Sequence, residues 1–397
     1  METIKVGIIG AGWMGHVHAR AYQRLGQHWP DLVVRPELVA VADSSAAAAE
    51  TFARAHGVAT QTISTWPDWR ELLADPDLAA VSVTAPNFLH REIGVAVAEA
   101  GKHLWIEKPV GLTADDAVAV RDAVHASGVV GCVGFNYRNV PAVARARRIV
   151  ESGRIGVPTH ARVQLLTDYA AHPGSPLSWR YAVDRGGHGV LGDLASHGVD
   201  LLRFVLGEVS GVMAQTAIHI AQRPVADARR QAEGHYAVLD VAEPGLTFGE
   251  VENEDYVVAI LRMSSGSPGG VLAVCEADRA AVGEQNNYAL EVHGTRGLVR
   301  WDFRRPGELQ VAAGDQYAGQ PTSTVFSEPG DGEYAAFQPG AGIAMGYDDT
   351  KVVEARSFVR AIAGEVAELA TLDDAVASAT VLDAMVASHT TGQWVDL

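Results

Sequence analysis

Cysteine is almost absent from this chain: among 397 residues only Cys132 and Cys275 occur, far apart and each in an apolar, strand-like setting. Two such thiols build neither a disulfide framework nor a cysteine metal cluster. Basic charge is also short, with 31 Lys and Arg against 48 Asp and Glu and a formal net charge of −17. That balance argues against a basic face for DNA, RNA or anionic membrane and describes a well-solvated acidic surface. No run approaches the roughly 20 apolar residues that span a bilayer, and the chain enters a strand pattern directly, with no signal-peptide pattern ahead of it. Together these shortages predict a cytoplasmic protein with neither a nucleic-acid nor a membrane partner. Composition gives no sign of disorder, since 48% of residues are apolar and 20% charged. The length predicts two domains.

What is present begins at the N-terminus. Val6, Gly7, Ile8 and Ile9 form the apolar run of a buried parallel strand, and Gly10-Ala11-Gly12-Trp13-Met14-Gly15 follows without a spacer. A G-x-G-x-x-G turn between strand and helix is the dinucleotide-binding arrangement. Gly10 makes the tight turn, Gly12 admits a pyrophosphate to the backbone, and Gly15 lets the helix pack on the strand. The free N–H groups and positive dipole end of that helix face the phosphates. The alternative is a glycine-rich turn without a ligand.

A helix is predicted over 13–25, an inserted loop over 27–37, and a second strand over 38–42 that ends in Asp43. A carboxylate there accepts the ribose hydroxyls and repels a 2′-phosphate, which favours NAD over NADP. Ser44 follows, with no arginine to hold a phosphate; the competing role for Asp43 is the N-cap of a helix over 46–56. Helices over 66–73, 90–100 and 115–126 then alternate with strands over 80–84, 103–106 and 129–135. Such alternation specifies a parallel sheet, with ligands beyond the carboxyl ends of its strands. Two motifs fall at those ends: Thr84-Ala85-Pro86-Asn87-Phe88-Leu89-His90 and Glu107-Lys108-Pro109. Lys108 stands where a lysine meets the nicotinamide and a substrate oxygen; the plainer reading is a lysine snorkelling at a strand end.

After Phe135 the texture changes. A helix over 141–153 opens on proline and closes on glycine. Strands over 159–166, 211–220, 255–263, 270–276, 288–293, 297–301 and 308–312 follow, several joined only by turn residues such as 264–270 and 294–297, and 313–342 reads as a long loop. Hairpin signals of this kind predict a largely antiparallel sheet. From Asp193 the apolar spacing is helical, which puts Asp193 and His197 on one face of the first turn. A carboxylate beside an imidazole orients the ring and stabilises its protonated form, as a general base requires. The same spacing also suits a metal or a buried structural pair, although no third ligand is evident for a metal.

At Gly10 to Gly15, Asp43, the two strand-end motifs and the Asp193/His197 helix, the chain resembles the Gfo/Idh/MocA oxidoreductase family, named for glucose-fructose oxidoreductase and inositol dehydrogenase. The resemblance runs through nearly the whole chain. It implies an α/β protein with a doubly wound Rossmann domain over 1–135. A second α/β domain over 136–397, with an open and largely antiparallel sheet, would bind substrate and form a homodimer or homotetramer. It implies a catalytic set of Lys108, Asp193 and His197, with Lys108-Pro109 a candidate cis bond. The cofactor set becomes Gly10, Gly12, Trp13, Met14, Gly15, Asp43, Ser44, Thr84, Pro86, Asn87, His90, Glu107 and Lys108.

Segments around 175–180, 286–288, 291–294 and 346–347 are similar to those of the levoglucosan and inositol dehydrogenase branch. By that likeness Tyr137, Asp168, Trp179, Arg180 and Tyr347 line the substrate pocket with Asp193 and His197. His188 stands where relatives often have a third glycine, so it either narrows the pocket or reaches the substrate. The implied activity is NAD-dependent oxidation of a secondary hydroxyl of a sugar, anhydrosugar or cyclitol. Two rivals remain: a redox-neutral glycosidase or lyase with tightly bound NAD, and a sensor that binds NAD without turnover.

Overall fold

The computed structural model describes residues 2–57, 62–226, 238–264 and 270–397. They form two compact units, Met1–Asn139 with Gly332–Gly340 and Ala344–Ala377, and Val140–Asp331 with Ala341–Ile343 and Ser378–Leu397.

In the first unit six strands, β1 (Glu2–Ile9), β2 (Val34–Ala42), β3 (Ser64–Trp66), β4 (Leu78–Val83), β5 (His103–Ile106) and β6 (Gly131–Val133), make one sheet in the order β3-β2-β1-β4-β5-β6. Every pairing is parallel. This is the doubly wound order, whose strand sequence reverses between β1 and β4 and opens a crevice at their carboxyl ends. The connecting helices are α1 (Trp13–His28), α2 (Ala46–His56), α3 (Trp69–Leu73), α4 (Asn87–Glu99) and α5 (Ala114–Ser127). Ser45 and Thr113 accept backbone N–H groups as N-caps of α2 and α5, and Gly128 closes α5 in a left-handed turn at φ +65°.

Two expectations change here. The loop expected over 27–37 is mostly ordered structure, because α1 runs on to His28 and β2 starts at Val34. Pro36 lies inside β2, where β3 covers only Ala40, Val41 and Ala42, so one side of the strand is open at the proline and no ladder bond is lost there. The helix expected over 66–73 is shorter and follows β3; Asp68 caps it by accepting the Arg70 N–H. The unit's core joins Val6, Ile8, Val41 and Trp105 to Val352, Val353, Ala355, Phe358 and Val359 of a late helix, Tyr347–Ile362.

The second unit carries α6 (Pro141–Glu151), β7 (Pro158–Leu166), α7 (Val183–Gly186) and α8 (Ser196–Leu206). Beyond them run β8 (Val209–Ala217), β9 (Gln222–Pro224), β10 (Phe248–Glu250), β11 (Tyr256–Met263), β12 (Val271–Asp278), β13 (Asn287–Gly294), β14 (Gly297–Asp302), β15 (Glu308–Ala313), β16 (Ser323–Phe326) and β17 (Val395–Asp396). Its large sheet has the order β16-β15-β14-β13-β7-β12-β11-β8-β17, antiparallel throughout except for β7 with β12. The expected mostly antiparallel sheet is therefore present. Residues 265–269 of the expected turn lie outside the described residues.

The stretch 313–342 is not all loop: β16 pairs with β15, and a 3-10 turn spans Tyr334–Ala336. Alternation sorts β11, whose Val257, Ala259, Leu261 and Met263 are buried while Val258 and Ile260 are exposed. On the inner face α8 packs closely through Gly198, where a Cβ would stand 2.8 Å from Leu165. Among the described residues no helix is long and apolar enough to cross a membrane.

Candidate active site

The glycine turn shows why each glycine is there. Gly10 adopts φ +103°, and a Cβ on it would lie 2.7 Å from the Thr84 carbonyl. A Cβ on Gly15 would meet the Gly10 carbonyl oxygen at 2.2 Å, so this position is reserved for close helix-to-turn packing. Gly12 is different, since a Cβ there would meet nothing within 4 Å. Its surroundings are open. Gly12 is also the N-cap of α1, with no side-chain cap and no acidic residue in the first turn, so the helix offers an uncapped positive end to an anion. These features fit a dinucleotide pyrophosphate.

Thr84 braces the turn by donating its hydroxyl to the Gly10 carbonyl at 2.7 Å. Asp43 braces it from the other side, its Oδ2 accepting the Ala11 N–H and its Oδ1 the Ser45 N–H, both at 2.8 Å. The N-cap of α2 is Ser45, so capping is not what Asp43 does. Ser44 is exposed between them.

Pro86 and Asn87 form the start of α4 beyond the end of β4. His90, one turn on, is buried with Nδ1 2.7 Å from the Pro109 carbonyl and Nε2 2.7 Å from the Ala85 carbonyl. It thereby ties the two strand-end motifs together, and burial pushes its imidazole below the usual range. The Lys108-Pro109 bond is cis. Glu107 is turned inward. Its Oε1 receives the Lys351 ammonium at 2.5 Å and the His18 Nε2–H at 2.9 Å. Lys351 also reaches Glu354 at 3.0 Å, and Trp105 Nε1 donates to the same Glu354 oxygen at 2.6 Å.

On the same late helix Tyr347 stacks on the exposed Trp13 with centroids 5.6 Å apart, donates to the Met14 sulfur at 3.9 Å, and meets Tyr137 edge-on at 6.3 Å. Three rings distant in sequence, Trp13, Tyr137 and Tyr347, are thus gathered around the Met14 thioether.

In the second unit the structure alters the expected helix. Leu191–Ala195 is a π turn that runs into α8, so Asp193 precedes the α-helix and the simple four-residue spacing does not describe its geometry. Such turns concentrate at functional sites. The Asp193 carboxylate accepts the hydroxyl of Tyr169, and His197 is buried in the first turn of α8. Asp168 sits beside Tyr169 past the end of β7, its carbonyl accepting the Ala171 N–H at 3.0 Å.

Trp179 and Arg180 share a short 3-10 turn in which the guanidinium lies 4.3 Å over the indole. A brace of 253–255 holds these pieces. Asn253 donates to the carbonyls of Arg180 at 2.8 Å and Gly187 at 3.0 Å, and the Glu254 carbonyl and carboxylate accept the N–H groups of Val190 and Leu191. His188 points to Asp383, with Nε2 2.8 Å from Oδ1. Sequence reasoning missed Tyr169, Asn253 and Lys351; only for Tyr169 was there a local signal, its place next to Asp168. Among the described residues no group of three or more His, Cys, Asp or Glu side chains is arranged to hold a metal.

Known proteins match this arrangement along its length. A family model described as an oxidoreductase family with an NAD-binding Rossmann fold matches residues 4–135, and the GFO/IDH/MocA C-terminal domain model matches residues 143–300. The levoglucosan dehydrogenase of Pseudarthrobacter phenanthrenivorans is 36% identical over 398 aligned positions, covering 100% of this chain and 99% of that protein. An inositol 2-dehydrogenase of Rhizobium meliloti is 31% identical, covering 82% of this chain and 83% of its own. The structure of a levoglucosan dehydrogenase in complex with NADH and levoglucosan superposes with a TM-score of 0.89 at 34% identity, covering 100% of this chain and 99% of that one. With such likeness over both units, the chain belongs to the Gfo/Idh/MocA family of NAD-binding oxidoreductases.

Proposed function

We propose that the protein is an NAD-dependent dehydrogenase that oxidises a secondary hydroxyl of a sugar, anhydrosugar or cyclitol. The observation that carries this reading is the whole-length likeness to a levoglucosan dehydrogenase, with an inositol dehydrogenase keeping cyclitols within the substrate class. NAD, when bound, takes up the hydride released from the carbinol carbon. The chain's residues do the rest.

The uncapped end of α1 and the open space at Gly12 hold the pyrophosphate, and Asp43 accepts the ribose hydroxyls, which favours NAD over NADP. Trp13, Met14, Thr84, Pro86 and Asn87 shape the rest of the cofactor site, while Glu107 and His90 hold the Lys108 segment in place. His197 accepts the hydroxyl proton, Lys108 stabilises the developing alkoxide, and Asp193 orients His197 and favours its charged form. Asp168, Trp179, Arg180, Tyr137 and Tyr347 contact the substrate. His188, with Nε2 2.8 Å from Asp383 Oδ1, narrows the pocket or reaches the substrate. The protein works in the cytoplasm, and it does so as a homodimer or homotetramer, the association being supported by the exposed Val258, Ile260 and Leu272 on the outer face of the second sheet.

The test follows reduced-nicotinamide absorbance with NAD or NADP in turn and levoglucosan, inositols, glucose, xylose and alkyl or aryl glucosides as substrates. A signal with NAD and one member supports the reading; bound NAD with no net NADH from any member overturns it. His197→Ala is expected to keep NAD binding and lose turnover by about 100- to 10,000-fold. Turnover at the wild-type rate in that variant removes His197 from the chemistry.

A further inference from the structure

Tyr169 is not among the residues assigned above, yet its hydroxyl donates to Asp193 Oδ2. Both ends of that hydrogen bond are built on pinned backbone. On the tyrosine side the Thr167 N–H donates to the Asp278 carbonyl and the Ala170 N–H to the Arg279 carbonyl, each at 2.9 Å. The Ala170 carbonyl in turn accepts the Arg223 guanidinium at 2.5 Å. The phenol therefore hangs from the β7/β12 pair and not from a loose loop. On the carboxylate side the π turn is held by Glu254 at Val190 and Leu191, and by the Ser196 hydroxyl donating to the Gly192 carbonyl at 2.8 Å.

We infer that Tyr169 is a positioning residue for proton transfer, fixing the Asp193 carboxylate in the orientation that serves His197. The inference rests on the reading of Asp193 and His197 as the proton-transfer pair. A carboxylate that only receives a histidine N–H is free to rotate about its last torsion, and a phenol on one oxygen removes that freedom. A neutral donor also favours the ionised carboxylate, the form that supports a charged imidazole. Burial first, and the Asp193 charge next, push the phenol well above its usual range, so Tyr169 donates its proton in a hydrogen bond without giving it up. The charged and titratable groups that face Tyr169 include Asp193, Arg279, Tyr181 and Arg223.

The experiment uses the full-length protein with NAD and either levoglucosan or myo-inositol. Tyr169→Phe, which keeps the ring and deletes the donor, is expected to lower kcat by about 10- to 100-fold. The Kd for NAD and the substrate KM stay within about twofold, and the solvent isotope effect on kcat rises as proton transfer becomes the slower step. A fluorotyrosine at position 169 restores the donor and returns kcat to near the wild-type value. The inference is overturned if Tyr169→Phe keeps wild-type kcat, or if fluorotyrosine fails to rescue it. Asp193→Asn separates the two layers: loss of turnover there with none in Tyr169→Phe defeats the tyrosine role alone. Full turnover in Asp193→Asn defeats the parent reading.

Discussion

Each unit buries a charged cluster behind its candidate residues, and the two clusters are constructed differently. In the second unit the carboxylate is outnumbered by cations: Arg279 Nε meets Asp255 Oδ1 at 2.8 Å, Asp255 Oδ2 accepts the N–H groups of His219 and Ile220, and Arg279 also reaches Asn253, while the buried Arg223 lies over the same Tyr181 ring as Arg279. No buried atom of the Asp255 carboxylate lacks a partner, and the orphaned atom nearby, Arg223 Nε, belongs to a cation. In the first unit one cation, Lys351, faces two carboxylates, Glu107 and Glu354, with His18 alongside. Here Glu354 Oε2 and His18 Nδ1 are buried with no hydrogen-bond partner.

Burial, opposed by Lys351, pushes Glu354 up to about 7, and burial only partly offset by Glu107 pushes the His18 imidazole down to about 4. Burial works against the Glu107 charge too, but Lys351 and then His18 hold its carboxyl well below the usual range. A cluster with a surplus carboxylate answers to pH as well as to mutation.

The largest expected effect is from Lys351→Met, which strands Glu107 and Glu354 together and should cost about 3–5 kcal/mol in urea unfolding at neutral pH. Asp255→Asn, which keeps the hydrogen bonds to His219 and Ile220 available, should cost less; equal or greater loss breaks the contrast.

Next comes pH. Glu354 is raised from 4.5 to about 7, so the native state holds a proton the unfolded chain releases, and its contribution to stability is lost as pH rises from about 4.5 to about 7. His18 is lowered from 6.5 to about 4, so its contribution is lost in the opposite direction, as pH falls from about 6.5 to about 4. Glu354→Gln removes only the first. Relative to wild type, that variant should gain on the order of 2 kcal/mol between about pH 5 and about pH 8, measured from denaturant midpoints. A parallel pair of pH curves would show that Glu354 carries no surplus. The smallest effect is that of Trp105→Phe, which deletes the indole donor to Glu354 and should cost about 1 kcal/mol.

Local physics explains what could be read in the sequence. Parallel strands buried on both faces are continuous apolar runs, so β1, β4 and β5 stand out, and the glycine turn follows from where backbone must approach backbone. β11 and β12 also stand out as apolar runs, although burial alternates along each of them. β3 and β16 do not stand out, because three or four exposed residues at a sheet edge carry no pattern. The π turn at Leu191–Ala195 has the apolar spacing of an α-helix and differs only in its hydrogen bonds. Lys351 lies 244 residues from Glu107, and Asn253 lies 73 from Arg180, separations at which no local pattern operates.

The return of the chain to the first unit has a consequence for synthesis on the ribosome. All six strands of the parallel sheet emerge before residue 140, but the layer supplied by Val352, Val353, Ala355, Phe358 and Val359 is made only after the whole of the second sheet's strands β7 to β16. Until then Trp105 lacks part of its cover and Glu107 lacks Lys351, so the nascent sheet waits with an apolar face and a buried acid unmatched. Chains released early, or cut after Asn139, should be clients of chaperones and proteases, while a chain made past Ile362 closes both gaps with a single late helix.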